Sequence, residues 1–159
     1  MADKIKAAGG VVIRGKKILF IKKNGRWEFP KGRLKKRANK KKTALREISE
    51  ETGLKKKDLE IIQPLIPTHN HNKANGNIST KETTWFLVKF TGDPSFKLKP
   101  EKREGISKCK WVTLNKLEIT LKNSRPLVHY LLSFVLNDPG YKDYLKNQRN
   151  DFNLFHYRC

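Results

Sequence analysis

Hydrophobic and polar positions alternate clearly enough along the first ninety residues to predict most of the regular structure. Ala7 to Ile13 (AAGGVVI) is a small and branched apolar run that predicts a strand. Lys17 to Lys22 (KILFIK) predicts a second strand, with Arg14-Gly15-Lys16 as the turn between them. Gly25 opens another turn, Trp27-Glu28-Phe29 is a short extended piece, Pro30 ends it, and Gly32 falls in a loop. Beyond Leu34 the stretch to Lys42 has no apolar period and reads as a loop running into a helix start. Thr43 to Thr52 is then helical, with Ala44, Leu45 and Ile48 as its inward stripe and Gly53 as its C-terminal cap. Leu59 to Ile66 predicts a strand that bends or lies at an edge, because Pro64 interrupts it. His69 to Lys81, rich in Asn, Gly and Ser, reads as a loop, and Thr83 to Phe90 as a strand. Gly92 to Arg103 is a polar loop, Lys108 to Val112 a short strand, Leu114 to Leu121 a short helix and Pro126 to Leu136 an apolar helix. After Asp138-Pro139-Gly140 the tail is polar and aromatic, and its pattern does not say where it packs. Strands around a central helix, with another helix late in the chain, predict a mixed α/β fold in which helices cover both faces of a sheet.

Composition narrows the setting. The 159 residues suit one domain with a real core and leave little room for a second. Thirty-six Lys and Arg against fifteen Asp and Glu give a formal net charge of +21. Such a field draws in polyanions, among them nucleic acid, nucleotides and inositol phosphates, without selecting one. Cys109 and Cys159 are far apart and imply neither a disulfide framework nor a zinc site. Met1 to Gly10 lacks the apolar stretch of a secretory signal, and Leu127 to Leu136 is too short to span a membrane, so a cytoplasmic protein with no membrane partner is expected.

Acidic residues are scarce, yet Glu47, Glu50 and Glu51 stand together at i, i+3 and i+4. On a helix they share a face, repel one another and oppose the macrodipole near its C-terminus. A hard divalent cation would remove that repulsion and keep coordination sites open for phosphate and water. The plainer alternative is a solvated helix face with Arg46 paired to Glu50.

The wider pattern is Gly32, a loop, then Arg46-Glu47-Ile48-Ser49-Glu50-Glu51-Thr52-Gly53-Leu54. It resembles the signature of the Nudix hydrolase family: a glycine, five residues, a glutamate, seven residues, then R-E-aliphatic-x-E-E-x-G-aliphatic. Trp27-Glu28-Phe29-Pro30-Lys31-Gly32 also looks like the run that usually leads into this signature. One position departs, since the signature's first glutamate falls on Ala38. The resemblance implies an α/β/α sandwich with a mixed sheet between helices, residues 1–137 forming the Nudix domain and residues 138–159 a C-terminal extension.

The family hydrolyses nucleoside diphosphates linked to another group, and related pyrophosphates. Carried onto this chain, Glu47, Glu50 and Glu51 would hold Mg2+, or Mn2+ in its place, with a carbonyl of Lys31 or Gly32 as a further ligand. Arg46 would orient the glutamates. Glu104, or alternatively Glu101, would supply a later-loop base or ligand. Lys31, Arg33, Lys35, Lys36 and Arg37 could line a highly charged phosphate chain, and His69 and Lys81 are further candidate phosphate contacts. Trp85 is either a stacking surface or core. The substrate expected is a polyanionic small molecule: a dinucleoside polyphosphate first, with RNA 5′ ends and diphosphoinositol polyphosphates as further options. The alternative is a catalytically weak Nudix-fold protein that binds RNA or nucleotides in a regulatory role.

Overall fold

The structure is a computed structural model and describes residues 3–156. It contains eight strands and four α-helices: β1 (Asp3–Arg14), β2 (Lys17–Lys23), β3 (Arg26–Glu28), β4 (Lys31–Arg33), α1 (Lys40–Thr52), β5 (Leu59–Pro64), β6 (Thr68–Ala74), β7 (Asn77–Phe90), β8 (Ile106–Thr113), α2 (Leu117–Leu121), α3 (Pro126–Leu136) and α4 (Pro139–His156).

All eight strands join one mixed sheet. β1 lies at its centre. On one side it runs parallel to β7, from Ile5 opposite Lys81 to Ile13 opposite Lys89. On the other side it pairs antiparallel with β4 and, further along, with β2. The outer strands β8 and β3 pair with β2, and β5 and β6 pair with β7.

The period-two pattern sorts side chains to two cores. Val11, Ile13, Ile18, Phe20, Trp85 and Leu87 point to one face and pack with Val128, Leu131, Leu132 and Val135 of α3 and Tyr141 of α4. Ala8, Val12, Leu19, Phe86 and Val88 point to the other and pack with Ala44 and Ile48 of α1. Helices on both faces of a mixed sheet are the sandwich expected.

Three local differences from the sequence reading matter. Lys31 to Arg33 is not a loop but strand β4, because its backbone pairs with Ala7 to Gly9 of β1. His69 to Lys81 is not a loop either. It forms the β6–β7 hairpin, turning at Asn75-Gly76, where both residues have positive φ (53° and 77°). That is the backbone a tight two-residue hairpin requires, and Asn-Gly is the pair best suited to it. The tail docks as α4: Tyr141 is in the core, and the Tyr144 hydroxyl accepts a hydrogen bond from the Gly15 N–H at 2.5 Å. Cys159 lies outside the described residues. Among the described residues no helix is long and apolar enough to cross a membrane.

Candidate active site

Helix α1 presents the acidic cluster. Asn39 caps its start, accepting from the Lys42 N–H at 3.0 Å, and Gly53 ends it with φ 79° and an N–H to the Ser49 carbonyl. Ala44 and Ile48 press one face of α1 into the core. That rotation turns Glu47 and Glu51 inward beneath β4 and leaves Glu50 at the rim. Glu51 is fully buried and Glu47 is 8% exposed, whereas the Glu50 side chain is 51% exposed.

The C-terminal carbonyls of a helix have no partner within it. Here the loop before β8 supplies them. The Lys99 N–H donates to the Thr52 carbonyl at 2.8 Å and the Glu101 N–H to the Glu51 carbonyl at 3.3 Å. This stitching carries Glu104 over the end of α1. Glu47, Glu51 and Glu104 each place a carboxylate oxygen within 4.8 Å of the other two. Glu101 is used otherwise: it accepts from the Arg103 N–H at 3.0 Å and shapes the turn.

The electrostatics of the cluster point to a cation. Burial, with Glu104 and Glu47 nearby, pushes the Glu51 carboxyl up to about 8, against the opposing pull of Lys23 and Lys31. One Glu51 oxygen accepts from the Lys31 N–H at 3.3 Å, and the other is buried with no hydrogen-bond partner. Glu47 is also raised, by burial first and by Glu50, while Arg46 holds it in the opposite direction with a bond of 3.0 Å. A buried, partnerless carboxylate oxygen beside two more carboxylates fits the oxygen preference of Mg2+ or Mn2+.

Gly32 has a specific reason to be glycine. A Cβ there would collide with all three carboxylate atoms of Glu47. The backbone of β4 therefore forms the roof of the cluster, and any side chain would displace an acid.

In front of the acids lies an open cleft of about 710 Å3. Seven cations line it: Lys23, Lys31, Arg33, Lys35, Arg46, Lys81 and Arg125. Burial lowers the pKa of Lys31 and Lys81, and crowding by Lys23 lowers both further. An anion that enters would relieve this repulsion. Glu28 is buried in the same wall, paired with Arg125 at 2.6 Å and Lys31 at 3.7 Å, and holds both cations in place.

The NUDIX domain family model matches residues 3–131. The chain belongs to the Nudix family. It is accordingly a pyrophosphohydrolase, and enzymes of this family generally use divalent metals. Solved structures share the fold at low identity. A C. elegans Ap4A hydrolase binary complex aligns with 22% identity, covering 90% of this chain and 98% of that one, with a TM-score of 0.64. A bifunctional NMN adenylyltransferase/ADP ribose pyrophosphatase from Francisella tularensis, complexed with AMP and a Mn ion, aligns with 16% identity. That match covers 86% of this chain and 42% of the other, with a TM-score of 0.64. A NUDIX hydrolase from Nitrosomonas europaea aligns with 19% identity, covering 82% and 87%, with a TM-score of 0.55.

Set in this Nudix domain, the candidate residues separate. Lys31, Gly32, Arg33, Lys35, Arg46, Glu47, Lys81 and Glu104 all line the one cleft, with Glu51 beneath it. Glu50 stands outside the tight cluster and pairs with Arg46 at 3.8 Å. His69 lies in an adjoining cleft of about 770 Å3 that meets the first at Asn72 and Arg125. Trp85 is a correction: it offers no stacking surface. Its ring is fully buried, edge-on to Phe29 at 6.2 Å, with its N–H bonded to the Thr68 hydroxyl at 2.8 Å. Glu28 and Arg125 were missed by the sequence reading. The available signal was a lone acid in the strongly basic run from Arg26 to Arg37. Arg46 bonds Glu47 at 3.0 Å and lies 3.8 Å from Glu50, but its buried Nε has no hydrogen-bond partner, as expected of an arginine that lacks the signature's first glutamate.

Proposed function

We propose that this Nudix enzyme hydrolyses a pyrophosphate bond in a nucleoside-linked polyphosphate, a dinucleoside polyphosphate above all, with Mg2+ as cofactor and Mn2+ able to replace it. The observation that carries this reading is the convergence of Glu47, Glu51 and Glu104 within 4.8 Å at the floor of a cleft lined by seven cations. Purely binding sites for polyanions have no use for three buried or clustered acids, which repel the ligand. Those acids fit a site that holds a cation against phosphate.

Glu47, Glu51 and Glu104 would hold the metal, with a backbone carbonyl of Lys31 or Gly32 nearby. Glu50 would join from the rim by a change of rotamer. The bound ion would neutralise phosphate oxygens and acidify a water. Arg46 fixes Glu47 in position. Lys31, Arg33, Lys35 and Lys81 bind the phosphates and orient the scissile anhydride over the acids, and Glu28 keeps Lys31 and Arg125 aimed into the cleft. Glu104, exposed to solvent, would accept a proton from an attacking water through the carboxylate oxygen that does not face the metal.

The adjoining cleft suits a nucleoside. Tyr130 is exposed there, and His69 and Asn70 line the same cleft. The exposed Tyr130 ring offers a flat heterocycle a surface to stack on. This favours nucleotides over inositol phosphates.

The test is Mg2+-dependent product release from diadenosine polyphosphates, nucleoside triphosphates, triphosphorylated RNA and a diphosphoinositol phosphate. Turnover is expected to be fastest with a diadenosine polyphosphate. No turnover anywhere, with tight salt-sensitive RNA binding, would instead establish a catalytically weak, regulatory RNA-binding protein.

A further inference from the structure

A second basic concavity, of about 380 Å3, adjoins the catalytic cleft, with Leu34 and Lys35 lining both. Its walls carry six cations: Lys4, Lys6, Lys35, Lys36, Arg37 and Lys40. Among the described residues no acid lines it. Of its cations, Lys4 pairs with Glu82 at 3.5 Å. Ala38, where the family signature has a glutamate, is also part of the wall, so the one acid expected here is absent.

This arrangement is unfavourable for the free protein in three separate ways. Six cations share a small concave surface and repel one another. The first turn of α1 contains Lys40, Lys41 and Lys42 and no acid, the wrong sign for a helix N-terminus. Arg37 adopts φ 64°, a conformation that costs free energy for a residue with a side chain. A bound polyanion would offset the first two costs directly.

The chemistry of the wall selects the kind of polyanion. Among the described residues it contains no aromatic side chain, and Leu34 is its one large apolar residue. Sites for single-stranded nucleic acid combine a basic groove with aromatic platforms for the bases. Here charge is read and bases are not. We propose that this cleft is a subsite for a linear phosphate chain, whose trailing phosphates lie against Lys4, Lys6, Lys36, Arg37 and Lys40 while a leading phosphoanhydride enters the catalytic cleft. The direction of the chain rests on the hydrolase reading above; the presence of the subsite does not. Inorganic polyphosphate and the chain of a long nucleoside polyphosphate share the required chemistry.

The test compares the wild-type protein with Lys36→Ala/Arg37→Gly/Lys40→Ala, none of which touches the acids or the catalytic cleft. Calorimetric titration in EDTA uses long-chain inorganic polyphosphate, tripolyphosphate and a single-stranded RNA with a 5′-hydroxyl. The triple variant is expected to bind the long chain on the order of tenfold more weakly, with the log–log salt slope shallower by roughly two to three. Tripolyphosphate affinity and turnover of diadenosine triphosphate are expected to be unchanged, and the melting temperature equal or higher, because glycine and alanine relieve the costs above. A KM rise confined to the longest dinucleoside polyphosphates would identify a nucleotide chain as the occupant. An effect confined to inorganic polyphosphate would identify the free polymer. Long-chain binding indifferent to the three substitutions would overturn the subsite, and so would RNA that binds more tightly than polyphosphate and loses the same factor. If turnover is absent on every substrate but patch-dependent binding persists, the hydrolase reading fails and the subsite stands.

Discussion

Replacing Glu51 by Gln separates the cost of the acidic cluster from its use. The side chain is fully buried, one oxygen meets only the Lys31 N–H and the other has no partner. Its pKa is pushed from 4.5 to about 8 by burial first and by the neighbouring acids second. In the unfolded chain the group loses its proton near 4.5; in the metal-free fold it holds the proton until about 8. The folded state therefore binds more protons between these values, and stability falls as pH rises through that window. The stabilisation from the protonated form is complete below the unfolded value and gone above the folded one. At about 1.4 kcal/mol per pH unit the full effect has an upper limit on the order of 5 kcal/mol, and for a domain of this size that is a shift on the order of 10 °C in Tm. Glutamine keeps the acceptor for Lys31 and never ionises. The assay is thermal unfolding of both proteins in EDTA from pH 4.5 to 8.5, repeated with Mg2+. The difference in Tm, variant minus wild type, is expected to grow across the window without metal. Mg2+ is expected to restore the wild type at high pH and leave the variant unmoved. Activity of the variant is expected to fall by roughly 10² to 10⁴. A Tm difference that stays constant with pH in EDTA would refute the reasoning, and unchanged turnover would remove Glu51 from the metal site.

Other substitutions test the surrounding architecture. Gly32→Ala forces a methyl group into the Glu47 carboxylate and is expected to raise the Mg2+ concentration needed for half-maximal activity about tenfold or more, read from metal titrations of rate. Glu28→Gln leaves Arg125 and Lys31 without their anion, and a stability loss of about 1 to 3 kcal/mol by urea unfolding is expected, reduced from a fully buried pair because Arg125 is partly exposed. Trp85→Phe removes the bond to Thr68 and part of the core; about 1 to 3 kcal/mol of stability should be lost while KM stays constant, whereas a selective KM increase would return Trp85 to the substrate site.

The acidic half of the site is legible in the sequence because it is local. Helical spacing puts Glu47 and Glu51 one turn apart, and the offset from Gly32 gives the roof over them. Which acid completes the cluster is not local. Glu50 is adjacent in sequence yet turns to solvent, because Ala44 and Ile48 fix the rotation of α1 on the sheet. Glu104 arrives from fifty residues away through backbone bonds to the end of that helix. Trp85 looks the same in sequence whether it faces a core or a cleft; only the burial of its strand on both faces decides. Two further elements do carry local signals. Asn75-Gly76 is a hairpin signal inside a polar stretch. Asp138-Pro139 begins a helix rather than merely ending one, since the Asp138 carboxylate accepts from the Tyr141 N–H at 3.0 Å and proline fits the first helical position.

The parallel pairing of β1 with β7 also governs how the enzyme comes into being. Each pair, from Ile5 with Lys81 to Ile13 with Lys89, joins residues 76 apart. Contacts so distant close slowly, and sheets dominated by them fold in roughly milliseconds to seconds. On the ribosome the whole stretch from Gly32 to Leu54 emerges well before β7 exists, so β1 waits with one edge unpaired and an apolar face uncovered. Such an edge invites pairing with other chains. Expression of residues 1–76 alone should therefore give aggregate rather than a small metal-binding domain. The catalytic stretch is written early, but it becomes a site only after the central strand has been closed from the far side.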